Sequence, residues 1–263
     1  MNNLTTLSYS STSITFKDQK LCVAIADYIT AKYPDMSFLK EKTNLKLIFS
    51  DVDLETITYL DLSGKQISDI TGIQSFTSLK ELIMNDNNIT DLSPLKGFAT
   101  VSVTTYTLDG EQVTRSTVAP LRTLRLEKNK ISDLSPLENL NIETLYLNNN
   151  SITNVSPLEN IISLKYLALD HNQISNIEAL KSLTNLRLLN LGYNKDIRSN
   201  DLGILVNFIK LRILQLPGNK IDSLSIIANQ SHLRNNLENL SLGNQTTDGN
   251  GQGDKILDAG RYS

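Results

Sequence analysis

One phrase recurs along this chain and limits what it can fold into. LIMNDNNITDLSPLKGF begins at Leu82, LRLEKNKISDLSPLENL at Leu124 and LYLNNNSITNVSPLENI at Leu145. Superposed, such stretches give the template L-x-x-L-x-L-x-x-N-x-I-x-x-L-x-x-L. The asparagine falls at Asn87, Asn129, Asn150, Asn172, Asn194 and Asn219, with Lys65 and Gln245 in the equivalent places of the first and last units. Successive asparagines lie 42, 21, 22, 22 and 25 residues apart, a period near 22 with one doubled gap. A unit this short cannot enclose a core, so each must bury its apolar side against its neighbours.

The letters of the template have physical readings. In LYL, alternation sends Leu145 and Leu147 to one side of a short strand and Tyr146 to the other, and strands of successive units pair in parallel. The chain then turns away, and its turn carries backbone N–H and C=O groups that stacking removes from water. An asparagine side chain, donor and acceptor at once, satisfies such groups unit after unit, so the asparagines read as a structural ladder. Ile152, Val155, Leu158 and Ile161 follow at spacings of three, which suits a tight 3-10 return where proline has no ladder bond to lose. The expected fold is a leucine-rich repeat of class α/β. It is a right-handed horseshoe solenoid with a parallel sheet on its concave face, a 3-10 or irregular convex side and an N-terminal helical cap.

The expected division is a flexible start over 1–13, the cap over 14–56, about eight repeats over 57–245 and a Gly-rich flexible tail over 246–263. Within the cap, residues 18–33 place Leu21, Ile25, Tyr28 and Ile29 at helical spacing, with Asp18 as N-cap and Pro34 just beyond the end. Shorter helices are expected around 35–42 and 51–56. The last strand signal ends at Leu242. Two units are irregular. Residues 99–120 have the length of one repeat but few template leucines, and Asp109-Gly110 between polar β-formers is a hairpin signal, so a degenerate repeat and a projecting hairpin both remain open. GYNKDIRSNDLGILVNFI is about three residues longer than its neighbours, which fits a wider convex turn or a short helix.

Composition narrows the function. A net charge of −3 lacks the basic footprint that phosphate backbones select, so nucleic acid is not an expected partner. No apolar run reaches the ~20 residues of a membrane span, and the first residues have no secretory-signal pattern. The lone Cys22 permits no internal disulfide and, on an apolar helix face, reads as a small buried hydrophobe. Asp51-x-Asp53 is explained by acidic residues at a helix start. Asp248, Asn250, Gln252 and Gly253 fall at calcium-loop positions, but Ala259 replaces the bidentate glutamate, so neither metal nor cofactor is expected. The sequon at Asn88 arises from the repeat consensus and is not evidence of glycosylation.

Residues 57–242 resemble the bacterial SDS22-like leucine-rich repeats of the internalin type. The resemblance rests on NNITDLSPL, NKISDLSPL and NSITNVSPL, and on a helical segment leading into ITYLDLSGKQISDITGI. It implies binding of a partner protein through the concave face and a secreted or surface location, whereas a native start at Met1 would fit the cytoplasm. No Ig-like domain or LPxTG-type anchor is seen.

The variable residues between the leucines face out of the concave side, and Tyr and Arg there are the types that most often dominate interface energetics. The candidate partner-binding residues are Tyr59, Asp61, Ile83, Arg125, Tyr146, Tyr166, Asp170, Leu188 and Ile213. Tyr146 and Tyr166, one unit apart, are expected to form an aromatic patch near Arg125 and Asp170, extended by exposed Leu188 and Ile213. The expected function is a non-enzymatic, monomeric protein-binding module with no catalytic residues. The alternatives are a cytoplasmic SDS22-like phosphatase regulator, a scaffold for an enzyme domain outside this chain, and self-association through the last strand edge.

Overall fold

The computed structural model describes residues 11–36, 38–41, 45–99, 101–108, 111–118, 121–194 and 196–243. The described residues begin with β1 (Ser11–Thr15) and α1 (Gln19–Lys32), followed by β2 (Phe38–Glu41), β3 (Lys46–Ser50) and α2 (Asp51–Thr56). The three strands form an antiparallel sheet in the order β1-β3-β2. Helix α1 buries Leu21, Cys22, Ala24, Ile25, Ala26 and Ile29. Asp18 caps it, its Oδ1 accepting the Lys20 N–H at 2.7 Å. The other carboxylate oxygen accepts the N–H groups of Ser68 and Asp69 at 2.7 and 3.2 Å, which ties the helix to the first repeat. Burial alone would raise the Asp18 carboxyl, but these N–H donors hold it below its ordinary value.

Two expectations for this region are corrected. Residues 11–13 are strand rather than flexible start, because they pair with residues 48–50 of β3. Residues 38–41 are strand rather than helix, because β3 offers them an antiparallel partner, and tertiary pairing outweighs local preference.

The repeats contribute β4 (Tyr59–Asp61) and β5 (Glu81–Ile83). After an excursion through β6 (Val101–Leu108) and β7 (Glu111–Val118), they resume with β8 (Thr123–Arg125), β9 (Thr144–Tyr146), β10 (Tyr166–Ala168), β11 (Leu188–Asn190), β12 (Ile213–Gln215) and β13 (Asn239–Ser241). These eight repeat strands form one parallel sheet in chain order, with β5 paired directly to β8. Residues 101–118 therefore resolve the open alternative against a degenerate repeat. β6 and β7 pair only with each other, Val101 opposite Val118 and Leu108 opposite Glu111, and supply no strand to the large sheet. The physical reason is that a segment with so few template leucines has no continuous apolar stripe to offer the stack, whereas its β-branched runs around Asp109-Gly110 suit a hairpin.

The middle residue of each repeat strand from β4 and β5 through β8 to β12 is a fully buried leucine, from Leu60 to Leu214, and its neighbours on either side look outward. On the convex side, short 3-10 segments run over Ile73–Ser75, Ser93–Ala99, Ser135–Leu137, Ser156–Leu158, Glu178–Ser182 and Ser199–Asn207. Ile152, Val155, Leu158 and Ile161 are all buried beneath them. The acid or amide before each turn starts it: Asp91, Asp133, Asn154 and Asn176 each accept the N–H two residues ahead at 2.8–2.9 Å. The enlarged unit forms the longest 3-10 segment, Ser199–Asn207, and the final return is made by α3 (Ser225–Asn229) and α4 (Ser231–Asn236).

The asparagine ladder reaches backward. Asn172 Nδ2 donates to its own unit at Leu169 O and to the preceding unit at Leu147 O, both at 3.0 Å, while its Oδ1 accepts the Ile152 N–H of the preceding unit. Asn87, Asn129, Asn150 and Asn194 repeat this arrangement, and Asn219 Nδ2 donates to Leu191 O and Leu216 O. The ladder ignores the hairpin, since Asn129 accepts from Ile89. Position 65 needs no asparagine because no repeat precedes the first one, and Lys65 stands there. Gln245, the tail over 246–263 and its calcium-loop resemblance lie outside the described residues.

Candidate functional site

The backbone register arranges the variable residues in columns across the concave sheet. Tyr59, Glu81, Thr123, Thr144, Tyr166, Leu188, Ile213 and Asn239 occupy one column, neighbour against neighbour. Asp61, Ile83, Arg125, Tyr146, Ala168, Asn190, Gln215 and Ser241 occupy the next.

At mid-sheet the Arg125 guanidinium lies 5.2 Å from the centroid of the Tyr146 ring. Its Nε and Nη2 donate to the Glu127 carboxylate at 3.0 and 3.2 Å. The Glu127 N–H is in turn held by Asn85 Oδ1 at 2.9 Å. The hydrogen bond to Glu127 raises the Arg125 pKa further, so the cation is permanent. Burial pushes the Tyr146 phenol up against the opposing pull of Arg125, so it stays neutral and its ring faces a fixed positive charge.

Two other candidates stand by the cap. Tyr59 packs near Tyr28 of α1, ring centroids 6.3 Å apart, and burial followed by the charges of Asp61 and Glu81 raises its pKa. Burial, with Tyr33, Tyr59 and Asp61 adding to it, pushes Tyr28 up to about 12. Asp61 is engaged locally, accepting from the Ser63 N–H and hydroxyl at 3.0 and 2.7 Å.

Arg125 pairs with Glu127 of its own unit, and Asp170 with Asn190 Nδ2 at 2.8 Å and His171 Nδ1 at 3.0 Å. Two expectations change. Ile83, between Asp61 and Arg125 on its rung, is 8% exposed and presents little apolar surface. Leu188 and Ile213 are half-buried; the exposed large apolar residues among those described are Val23, Ile162, Val206 and Ile209. Tyr146 and Tyr166 sit on adjacent strands as diagonal neighbours, Tyr146 opposite Ala168 and Tyr166 opposite Thr144.

Sequence reasoning missed the residue before each ladder asparagine. Asp86, Lys128, Asn149, His171 and Tyr193 all take a left-handed conformation with φ of 53–58°, and Gly64 and Gly218 occupy the same place with φ near 68°. In this column the His171 and Tyr193 rings stack at 4.4 Å. The Tyr193 ring lies so close over Gly218 that a Cβ there would collide with Tyr193 Cδ1. An aromatic ledge thus borders Asp170. The only sequence signal for it was the aromatic pair at one template position. Among the described residues no group of three or more His, Cys, Asp or Glu could hold a metal ion, and no helix is long and apolar enough to cross a membrane.

These features define a leucine-rich-repeat solenoid, and comparison with known proteins agrees. The family described as Leucine Rich repeats (2 copies) matches residues 55–97 and 121–160, two stretches that leave out the hairpin. No curated protein matches the chain. Among solved structures, the fold is similar to internalin C2 of Listeria monocytogenes, at 28% identity and a TM-score of 0.56, over 83% of this chain and 92% of that one. It is also similar to the functional domain of InlJ from Listeria monocytogenes, whose description includes a cysteine ladder. That match has 24% identity and a TM-score of 0.62, over 91% of this chain and 45% of that one. A third similar structure is the Listeria monocytogenes internalin InlF, at 24% identity and a TM-score of 0.52, over 88% of this chain and 77% of that one. The chain therefore has an internalin-like leucine-rich-repeat fold.

Proposed function

We propose that this repeat module is of the SDS22-like internalin type, acts without catalysis and recognises a partner protein, at a host or cell surface, through its concave face. The observation that carries the reading is the Arg125–Tyr146 pair: a permanent cation fixed over an aromatic ring by Glu127, in the middle of a rigid sheet. Arg and Tyr on a rigid scaffold lose little conformational freedom on binding, and such anchors concentrate affinity. Tyr59, Asp61, Tyr166, Asp170, Leu188 and Ile213 extend the contact along the columns.

The test compares this protein with the triple variant Arg125→Glu, Tyr146→Ala, Tyr166→Ala in pull-downs from host-cell and bacterial lysates, with circular dichroism to establish that both are folded. A protein captured by the parent and lost by the folded variant supports the reading. Equal capture by both moves the site off the concave face. The module is further proposed to act as a monomer, and light scattering showing a concentration-dependent dimer would sink that part.

A further inference from the structure

Beside the concave columns runs a third line of residues, each just before its strand: Thr58, Lys80, Arg122, Glu143, Lys165, Arg187, Arg212 and Glu238. It is continuous, since each backbone N–H donates to the previous carbonyl at 2.8 Å. Its last four units place Lys165, Arg187 and Arg212 on consecutive strands, roughly 4.8 Å apart, and three adjacent cations repel one another. The outer two are relieved: Lys165 Nζ pairs with Glu143 at 2.6 Å and Arg212 Nη1 with Glu238 at 2.8 Å. Arg187 is exposed, and among the described residues its guanidinium makes no ion pair or hydrogen bond, its charge reaching Glu143 only at longer range.

The same rim carries the two most exposed large apolar side chains among the described residues, Ile162 at 60% and Ile209 at 56%. Both stand two residues before the first leucine of their repeat, Leu164 and Leu211, in units on either side of the one that holds Arg187. The template does not ask for isoleucine there, for Thr77, Thr184 and Asn235 hold the same place in other units. The two isoleucines do not ride on loose loops. Asn185 Nδ2 donates to Ile162 O at 2.9 Å while its Oδ1 accepts from Lys210 Nζ at 2.6 Å, and Asn236 Nδ2 donates to Ile209 O at 2.8 Å.

We propose that this rim docks an acidic segment of a partner protein, one that brings a carboxylate to Arg187 between two apolar side chains that cover Ile162 and Ile209. The guanidinium fork matches a carboxylate in two parallel hydrogen bonds, and the isoleucines, roughly 10 Å apart from strand spacing, need apolar cover. A bare polyanion would satisfy the cations and leave the isoleucines wet, which favours a polypeptide. The inference rests on the protein-binding reading but assigns it a second surface.

The test selects a phage-displayed library of random peptides on the immobilised full chain, then measures selected peptides by fluorescence polarisation. The expected consensus is an acidic residue flanked by apolar ones. Affinity should fall at least about tenfold with Arg187→Glu and with the pair Ile162→Ser, Ile209→Ser, and less with Arg187→Lys, which keeps charge without the fork. It should be unmoved by Arg125→Glu, Tyr146→Ala, Tyr166→Ala. Binding lost only in that concave triple variant would overturn the rim site and leave the concave reading standing. A consensus without an acid, binding that survives folded Arg187→Glu, or no enrichment at all would also overturn it, whatever the lysate experiment shows. Binding lost at the rim while lysate capture ignores the concave variant would retain the rim and reject the concave face.

Discussion

The Arg125 guanidinium lies 5.2 Å from the Tyr146 ring centroid on the neighbouring strand, and the Glu127 carboxylate grips the same guanidinium at 3.0 Å. A cation held from two directions is already in the geometry a partner needs, so its value is in recognition rather than stability. Tyr146→Ala is expected to lower stability by less than about 1 kcal/mol and to weaken binding of a concave-face partner by about 2 kcal/mol, roughly 30-fold. Tyr146→Phe keeps the ring and should lose much less. Isothermal titration of the three proteins checks this, and equal affinities would remove Tyr146 from the site.

Asn172 serves three buried backbone groups, at Leu147 O, Leu169 O and the Ile152 N–H. Asn172→Ala strips the Ile152 N–H of its acceptor and leaves Leu147 O and Leu169 O with only the Asn150 and Asn194 donors, and a loss of about 2–3 kcal/mol is expected from denaturant unfolding. Lys65→Asn is the control: with no repeat behind it, an amide at that place should change stability by no more than about 0.5 kcal/mol.

Val101 and Val118 face each other at the base of the hairpin, while β5 pairs with β8 across its root. Replacing residues 102–117 by Asn-Gly should therefore leave the far-ultraviolet circular dichroism of the sheet intact and shift Tm by only a few degrees. Collapse of the fold would mean that the ribbon holds the stack together.

The Asp18 carboxylate links α1 to Ser68 and Asp69, and its folded pKa is depressed, because backbone donors outweigh the raising effect of burial. The stability it contributes is thus fully present above the ordinary aspartate value of 3.8 and is lost as pH falls below that value through the folded one. Unfolding measured between pH 7 and pH 2 should show an acid-side decline that Asp18→Asn flattens, with about 1–2 kcal/mol lost at neutral pH. Parallel curves for both proteins would refute the link.

What could be read from the letters follows from what each letter has to do. Leucines and asparagines answer to burial and to unsatisfied backbone groups, needs every unit shares, so their places survived repetition and were legible. The aspartate in TDLSPL was also repeated, yet its role emerged only in the structure, because a turn-starting carboxylate looks the same on paper as a solvated one. Residues 38–41 were misread because their strand exists only through β3. The site was least legible. Ile83 and Ile213 occupy outward template positions, and only rung neighbours decide which is covered; Arg187 reads as one more surface arginine until the ion pairs on either side leave it over.

Because each ladder asparagine reaches to the unit before it, the order of synthesis matters. A repeat leaving the ribosome has its leucines but not yet the amide that will close its turn, which arrives with the next unit. The newest repeat is therefore the least settled, and the stack matures one step behind its own growth. The cap, made before the repeats, gives the first of them something to rest against while it waits.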